Sequence, residues 1–124
     1  MATNDKVILV DSSSNCVTNI TNLCIPGLKT EGLLSNVASI TTTYTITGSD
    51  DVIIGSNASS EITMILPAAS GSGKVYYIKN IGAANVIVDA NVNGATIDTE
   101  LTQTINQWGN ITIVDGDSDN YYIL

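Results

Sequence analysis

A chain of 124 residues is long enough for one domain and too short for two ordinary ones. Its 44% hydrophobic against 13% charged residues excludes a disordered tail, because enough apolar surface exists to offset the entropy of folding. A formal net charge of −8, with four lysines and neither Arg nor His, argues against nucleic acid and anionic membrane as partners and rules out imidazole-based catalysis.

Ile, Val and Thr dominate, Phe is absent and strong helix formers are scarce, so the composition favours pleated, half-buried strands. No apolar run approaches the length of a bilayer-spanning helix. The start, Met1 to Lys6, lacks the basic and apolar stretches of a signal peptide, and synthesis in a cytoplasm is expected.

Residues 1–39 are irregular. Lys6–Val10 reads as a strand, Asp11–Asn15 as a polar break and Pro26-Gly27 as a turn. Leu28–Val37 suits a short helical turn, weakened by Gly32. Cys16 and Cys24 match no metal or redox spacing and read as small hydrophobes, with a disulfide as the other option. The sequons at Asn19, Asn57 and Asn110 are chance matches without a secretion signal. This segment is expected to be an attachment arm.

From residue 40 to 124 a period of two takes over. Ile40–Thr47 places Ile40, Thr42, Tyr44 and Ile46 on one face and four threonines on the other. Further strands are expected at Val52–Ile54, Glu61–Leu66 (ended by Pro67), Lys74–Asn80, Asn85–Asp89, Thr96–Asp98, Leu101–Ile105, Asn110–Val114 and Tyr121–Leu124. No connection is long enough for a crossover helix, so the expected fold is all-β, an antiparallel β-sandwich or jelly-roll-like module behind an irregular N-terminal segment.

Few residues offer chemistry. Gly71-Ser72-Gly73-Lys74 superficially resembles a phosphate-binding loop, but Ala68 stands where the motif's first Gly belongs and Val75 follows the Lys. A Ser72–Lys74 pair needs no catalytic explanation. Asp89, Asp98 and Glu100 are the carboxylates considered for glycoside hydrolysis, and strand-end Asp is ordinarily a turn former. Asp115 to Asn120 has the alternating acids of a calcium loop, yet Asn120 replaces the required Gly, and a solvated hairpin loop is preferred. Trp108 and Tyr44, Tyr76, Tyr77, Tyr121 and Tyr122 suit a sugar platform or, in a chain without Phe, core and interface packing. No catalytic, metal or cofactor residue is assigned, and no enzyme is expected.

The segments Tyr44–Ile54, Glu61–Ala69, Gly73–Asn80, Asn85–Asp89, Thr96–Asp98, Ile111–Gly116 and Tyr121–Leu124 together resemble a β-rich module of tailed-bacteriophage virion proteins. That module occurs in tail fibres, head fibres and capsid decoration (cement) proteins. The family's usual Trp near the C-terminal strand is replaced here by Tyr121 and Tyr122. The resemblance implies a structural protein on the virion's capsid surface, bound to the major capsid protein and homo-oligomeric, with a trimer favoured. The alternative is a tail-associated receptor or glycan-binding module, which Trp108→Ala would separate from a structural role.

Overall fold

Alternating β-branched residues bury one edge of an extended segment and leave the other in water, and nearly every segment with that pattern is a strand. A computed structural model describes residues 35–124. The strand expected at Lys6–Val10, the Pro26-Gly27 turn, most of Leu28–Val37 and both cysteines lie outside them. The strands are β1 (Val37–Ile40), β2 (Tyr44–Thr45), β3 (Val52–Gly55), β4 (Ile62–Ile65), β5 (Val75–Asn80), β6 (Val86–Asp89), β7 (Thr96–Ile97), β8 (Thr102–Ile105), β9 (Asn110–Asp115) and β10 (Asn120–Ile123). One 3-10 turn, Asn91–Asn93, is the sole helical element among the described residues. The domain is all-β.

Strand pairing departs from the expectation of purely antiparallel sheets. A six-stranded sheet runs β1-β3-β5-β9-β10-β7 and a four-stranded sheet runs β2-β4-β6-β8. Ladders β1–β3–β5 and β2–β4–β6 are parallel, while β5–β9, β9–β10 and β6–β8 are antiparallel. Parallel neighbours need a long connection, which is ordinarily a helix. Here the connection is a strand of the opposite sheet: the chain leaves β1, lays down β2, returns as β3 and repeats the circuit through β4 and β6. Segments too short for crossover helices thereby still give parallel ladders.

The Ile40–Thr47 run is the clearest correction. It is two strands in two sheets, bent at Thr41–Thr42. Asn57 holds that corner by donating its side-chain amide to the Thr41 carbonyl at 2.8 Å, while its Oδ1 accepts from the Ser59 and Ser60 N–H groups. The alternation survives the bend on the inward side, where Tyr44 is half-buried and Ile46 is buried.

The core fills the space between the sheets. From the six-stranded sheet it takes Ile53 and Ile78, paired in register, then Tyr76 opposite Ile113 and Ile97 beside Tyr121. From the other sheet come the rows Ile62–Val86–Ile105 and Met64–Val88. Leu66 and Ala90 extend these rows beyond the strands, through bonds from Leu66 N to Asp89 O and from Ala90 N to Leu101 O. Each buried aliphatic side chain contributes roughly 1.5–3 kcal/mol, so this stack is the main stabilising element. Backbone approach is closest at Gly82, where a Cβ would sit 2.3 Å from the Asn57 carbonyl oxygen.

Candidate functional site

Polar groups inside the domain are consumed by structure. Asp115, at the inner end of β9, is buried, and its two carboxylate oxygens accept from Ser70 N, Ser70 Oγ, Gly71 N, Ser72 N and Ser72 Oγ at 2.6–3.2 Å. Burial pushes this carboxyl up, but the serine and backbone donors outweigh it and hold it well below the usual carboxylate range. The Gly-Ser loop is therefore wrapped around an anion of its own chain. Ser72 Oγ also accepts from the Lys74 N–H, whereas the Lys74 ammonium pairs with Asp51 and lies 5.6 Å from the Tyr76 ring centroid. The Ser72 hydroxyl and the Lys74 ammonium thus have separate partners.

Asp50 is buried in the same manner, accepting from Tyr44 Oη, Thr47 N and Thr47 Oγ1 at 2.8–3.1 Å. Asn80, fully buried, donates its amide to Ala84 O and Ile105 O at 2.9 Å and accepts from Gly82 N. These three clasps went unrecognised in the sequence, where Asp50 and Asp115 read as turn or loop residues and Asn80 as the end of a strand. For Asp115 the donors stand some 45 residues upstream.

The carboxylates considered for hydrolysis serve the backbone. Asp89 accepts from Asn91 N at 2.8 Å, Asp98 accepts from Ile123 N at 3.2 Å, and Glu100 is exposed beside the Asp98-Thr99 turn. The Asp115–Asn120 segment links β9 to β10 as a hairpin. Within it Asp117 accepts from Asp119 N and Asn120 N at 2.9 Å and from the Tyr122 hydroxyl at 2.7 Å, while Asp115 points into its own clasp. Backbone N–H bonds to Asp117, led by that from Asp119, hold its carboxyl below the ordinary value. Among the described residues no group of three His, Cys, Asp or Glu side chains converges on a cation position.

The aromatics divide into two sets. Tyr76 and Tyr121 are buried with ring centroids 6.5 Å apart, Tyr121 donating to Pro67 O at 2.8 Å, and Tyr44 reaches Asp50. Burial first, and then the Asp115 charge, raises the Tyr121 hydroxyl well above its ordinary value, consistent with a core role. By contrast Tyr77 is 51% exposed, Tyr122 42% and Trp108 64%. Of the aromatics considered for a sugar platform, Trp108, Tyr77 and Tyr122 are therefore accessible, and Tyr76 and Tyr121 are not. Tyr121 faces the core, and Tyr122 sits near the opposite end of β9 from Trp108.

The outward face of the six-stranded sheet is the remaining candidate. With Ile53, Tyr76, Ile78, Ile113 and Tyr121 turned inward, alternation turns their neighbours outward. One row crosses the sheet as Val37–Val52–Tyr77–Thr112, and Leu124 N donates to Thr112 O beside it. A second row is Val75–Val114–Tyr122. Val37 and Leu124 are 55% and 71% exposed, and no outward position of these strands carries a carboxylate. Asp117 touches the rim through the Tyr122 hydroxyl. A shallow depression of about 80 Å³ lies on this face among Val52, Tyr77, Lys79, Asn110 and Thr112, far smaller than a small-molecule pocket.

Comparison with protein-family models, with curated proteins and with solved structures finds no match to this chain.

Proposed function

We propose that this chain is a non-enzymatic structural module, a short solenoid-like stack of β-coils that docks on a larger protein assembly through the outward face of its six-stranded sheet. The reading favoured is a capsid decoration or head-fibre protein of a tailed bacteriophage, bound to the major capsid protein. The observation that carries the docking role is the contiguous row Val37–Val52–Tyr77–Thr112 with Leu124, apolar but for its threonine and without carboxylates, in a chain of net charge −8. Exposed apolar patches of this kind mark interaction surfaces, and an acidic remainder keeps the molecule soluble and discourages contact elsewhere. The virion assignment rests on the resemblance of the strand-and-turn pattern. Cementing would follow from surface buried across capsomer junctions, with a homotrimer as the symmetric arrangement suited to three-fold positions.

Counting this chain against the major capsid protein in purified particles of the source phage tests the assignment. A copy number proportional to the lattice, reduced by Tyr77→Lys with the fold retained, is the expected result. A handful of copies would move the module to a tail or vertex fibre. Absence from particles would end the virion reading.

A further inference from the structure

The turn between β8 and β9 holds a residue that its own backbone disfavours. Gly109 N donates to Asn106 O at 2.9 Å, closing a β-turn whose central residues are Gln107 and Trp108. Trp108 has φ +66°, and Gln107 does not share the positive φ. That is the type II pattern, whose third position is ordinarily Gly or Asn because an L side chain there is strained. Gly109 stands one residue too late to relieve it. A bulky residue in the left-handed region is an outlier that persists when its surroundings dictate the conformation.

The surroundings here do so. Trp108 N donates to Asn80 O at 2.8 Å, Asn80 N donates to Gly109 O at 3.0 Å, and the Lys79 ammonium donates to Trp108 O. Asn80 is itself fully buried and locked by three side-chain bonds. The Trp backbone is thus fixed to a rigid pedestal while its indole remains 64% exposed. Packing offers little to set against the strain, since the side chain is mostly in water.

The rim is amide. The exposed side chains of Asn106, Gln107 and Asn110 border the indole in sequence, and they make no hydrogen bond within the described residues. Neither the turn nor Asn110 carries a charge. A protein hot spot packs its aromatic anchor in a fully desolvated pocket, and the turn itself adds no second apolar side chain beside the indole. A sugar ring has the matching chemistry: polarised C–H groups for the negative face of the indole, and a perimeter of hydroxyls for amides that both donate and accept.

We propose that the Asn106–Asn110 turn is a binding site for a neutral glycan, with Trp108 as the stacking platform and Asn106, Gln107 and Asn110 as the polar rim. The site lies beyond the polar Lys79–Asn110 pair from the apolar row of the sheet, and it is independent of where the module is mounted.

Trp108 is the only tryptophan, so indole fluorescence reports on this site alone. The full-length protein is screened on an array of neutral glycans covering hexoses, N-acetylhexosamines and deoxyhexoses. Hits are then titrated by Trp emission, with dissociation constants of about 0.1–1 mM expected for a single shallow subsite. Asn110→Ala should weaken binding roughly threefold to tenfold, as for one lost hydrogen bond. Binding of Trp108→Gly is followed on the array and by calorimetry, and it should be lost while the variant melts at the same or a higher temperature, since Gly fits the turn. A lower melting temperature would show that the indole packs structurally and would overturn the proposal. So would an array without hits at about 10 mM glycan, or Trp emission that changes with protein concentration alone, which would make the turn a self-contact.

Discussion

Strands β1 to β6 pair in parallel within each sheet and are joined by wide circuits through the opposite sheet, whereas β8 and β9 pair antiparallel with their neighbours and β10 lies antiparallel to β9 but parallel to β7. The coiled half has no tight hairpin between paired strands. Its register is set where successive circuits touch: Gly55 beside Asn80, Asn57 beneath Gly82, and Ile53 against Ile78. The later half adds tight turns to such contacts: positive φ at Asp98, Thr99 and Trp108 carries the chain from one sheet to the other, and β9–β10 is a hairpin of paired strands. Long-range contact alone therefore specifies the first half, and strained local turns are added to it in the second. Damage to the first should be expensive, and the second should leave room for improvement.

The largest effect is expected at the contact between circuits. A Cβ on Gly82 would meet Asn57 O at 2.3 Å and Asn57 N at 2.4 Å, both backbone atoms that no rotamer can move. Gly82→Ala should cost more than about 3 kcal/mol, read as a lower urea midpoint. If hydrogen exchange shows β9 and β10 still protected while β3 and β4 open, the two halves are separate cooperative units. Simultaneous loss of protection would make them one.

Asp115 joins the halves, because its donors precede β5 and the residue itself ends β9. Its carboxyl is depressed in the folded state, so its stabilisation is fully present above the unfolded value of about 4 and is lost as pH falls below that. Asp115→Asn retains one acceptor oxygen and places an NH₂ against N–H donors. It should cost about 2–3 kcal/mol at neutral pH and flatten the acid limb of the stability curve. Asp51, held down by the Asn36 N–H and then Lys74, and Asp117 would supply the slope that remains. An acid limb as steep as that of the parent protein would mean that the Asp115 clasp is not the source of the acid sensitivity.

Strand positions were legible because alternation needs only local information. Val75–Asn80 and Val86–Asp89 fall within a residue of the expected segments. Strand direction was not, since a period of two fixes which face is buried and says nothing about which neighbour lies alongside. The bend at Thr41–Thr42 carries no Gly or Pro, and the residue that holds it is Asn57, in the following circuit. Tyr121 and Tyr122 were bound to face opposite ways, but which one entered the core depended on the register with Asp115 and Ile97. Trp108 was conspicuous as the single tryptophan, and its strained turn became visible only with the backbone.

The smallest effect separates strain in a turn from function in a turn. Ile97 and Glu100 exchange backbone bonds of 2.7 and 2.9 Å around Asp98 and Thr99, both at positive φ, which is the two-residue type I′ hairpin. A β-branched residue at φ +76° is costly there, and Asp-Gly is the dipeptide that such a turn prefers. Thr99→Gly should therefore stabilise the domain by about 1 kcal/mol, seen as a Tm higher by roughly 4–8 °C. Thr99 and Trp108 share the same kind of backbone strain, so relief at either should raise Tm, while only Trp108→Gly should also abolish glycan binding. If Thr99→Gly abolished it too, glycan recognition would belong to the antiparallel half as a whole and not to the Asn106–Asn110 turn.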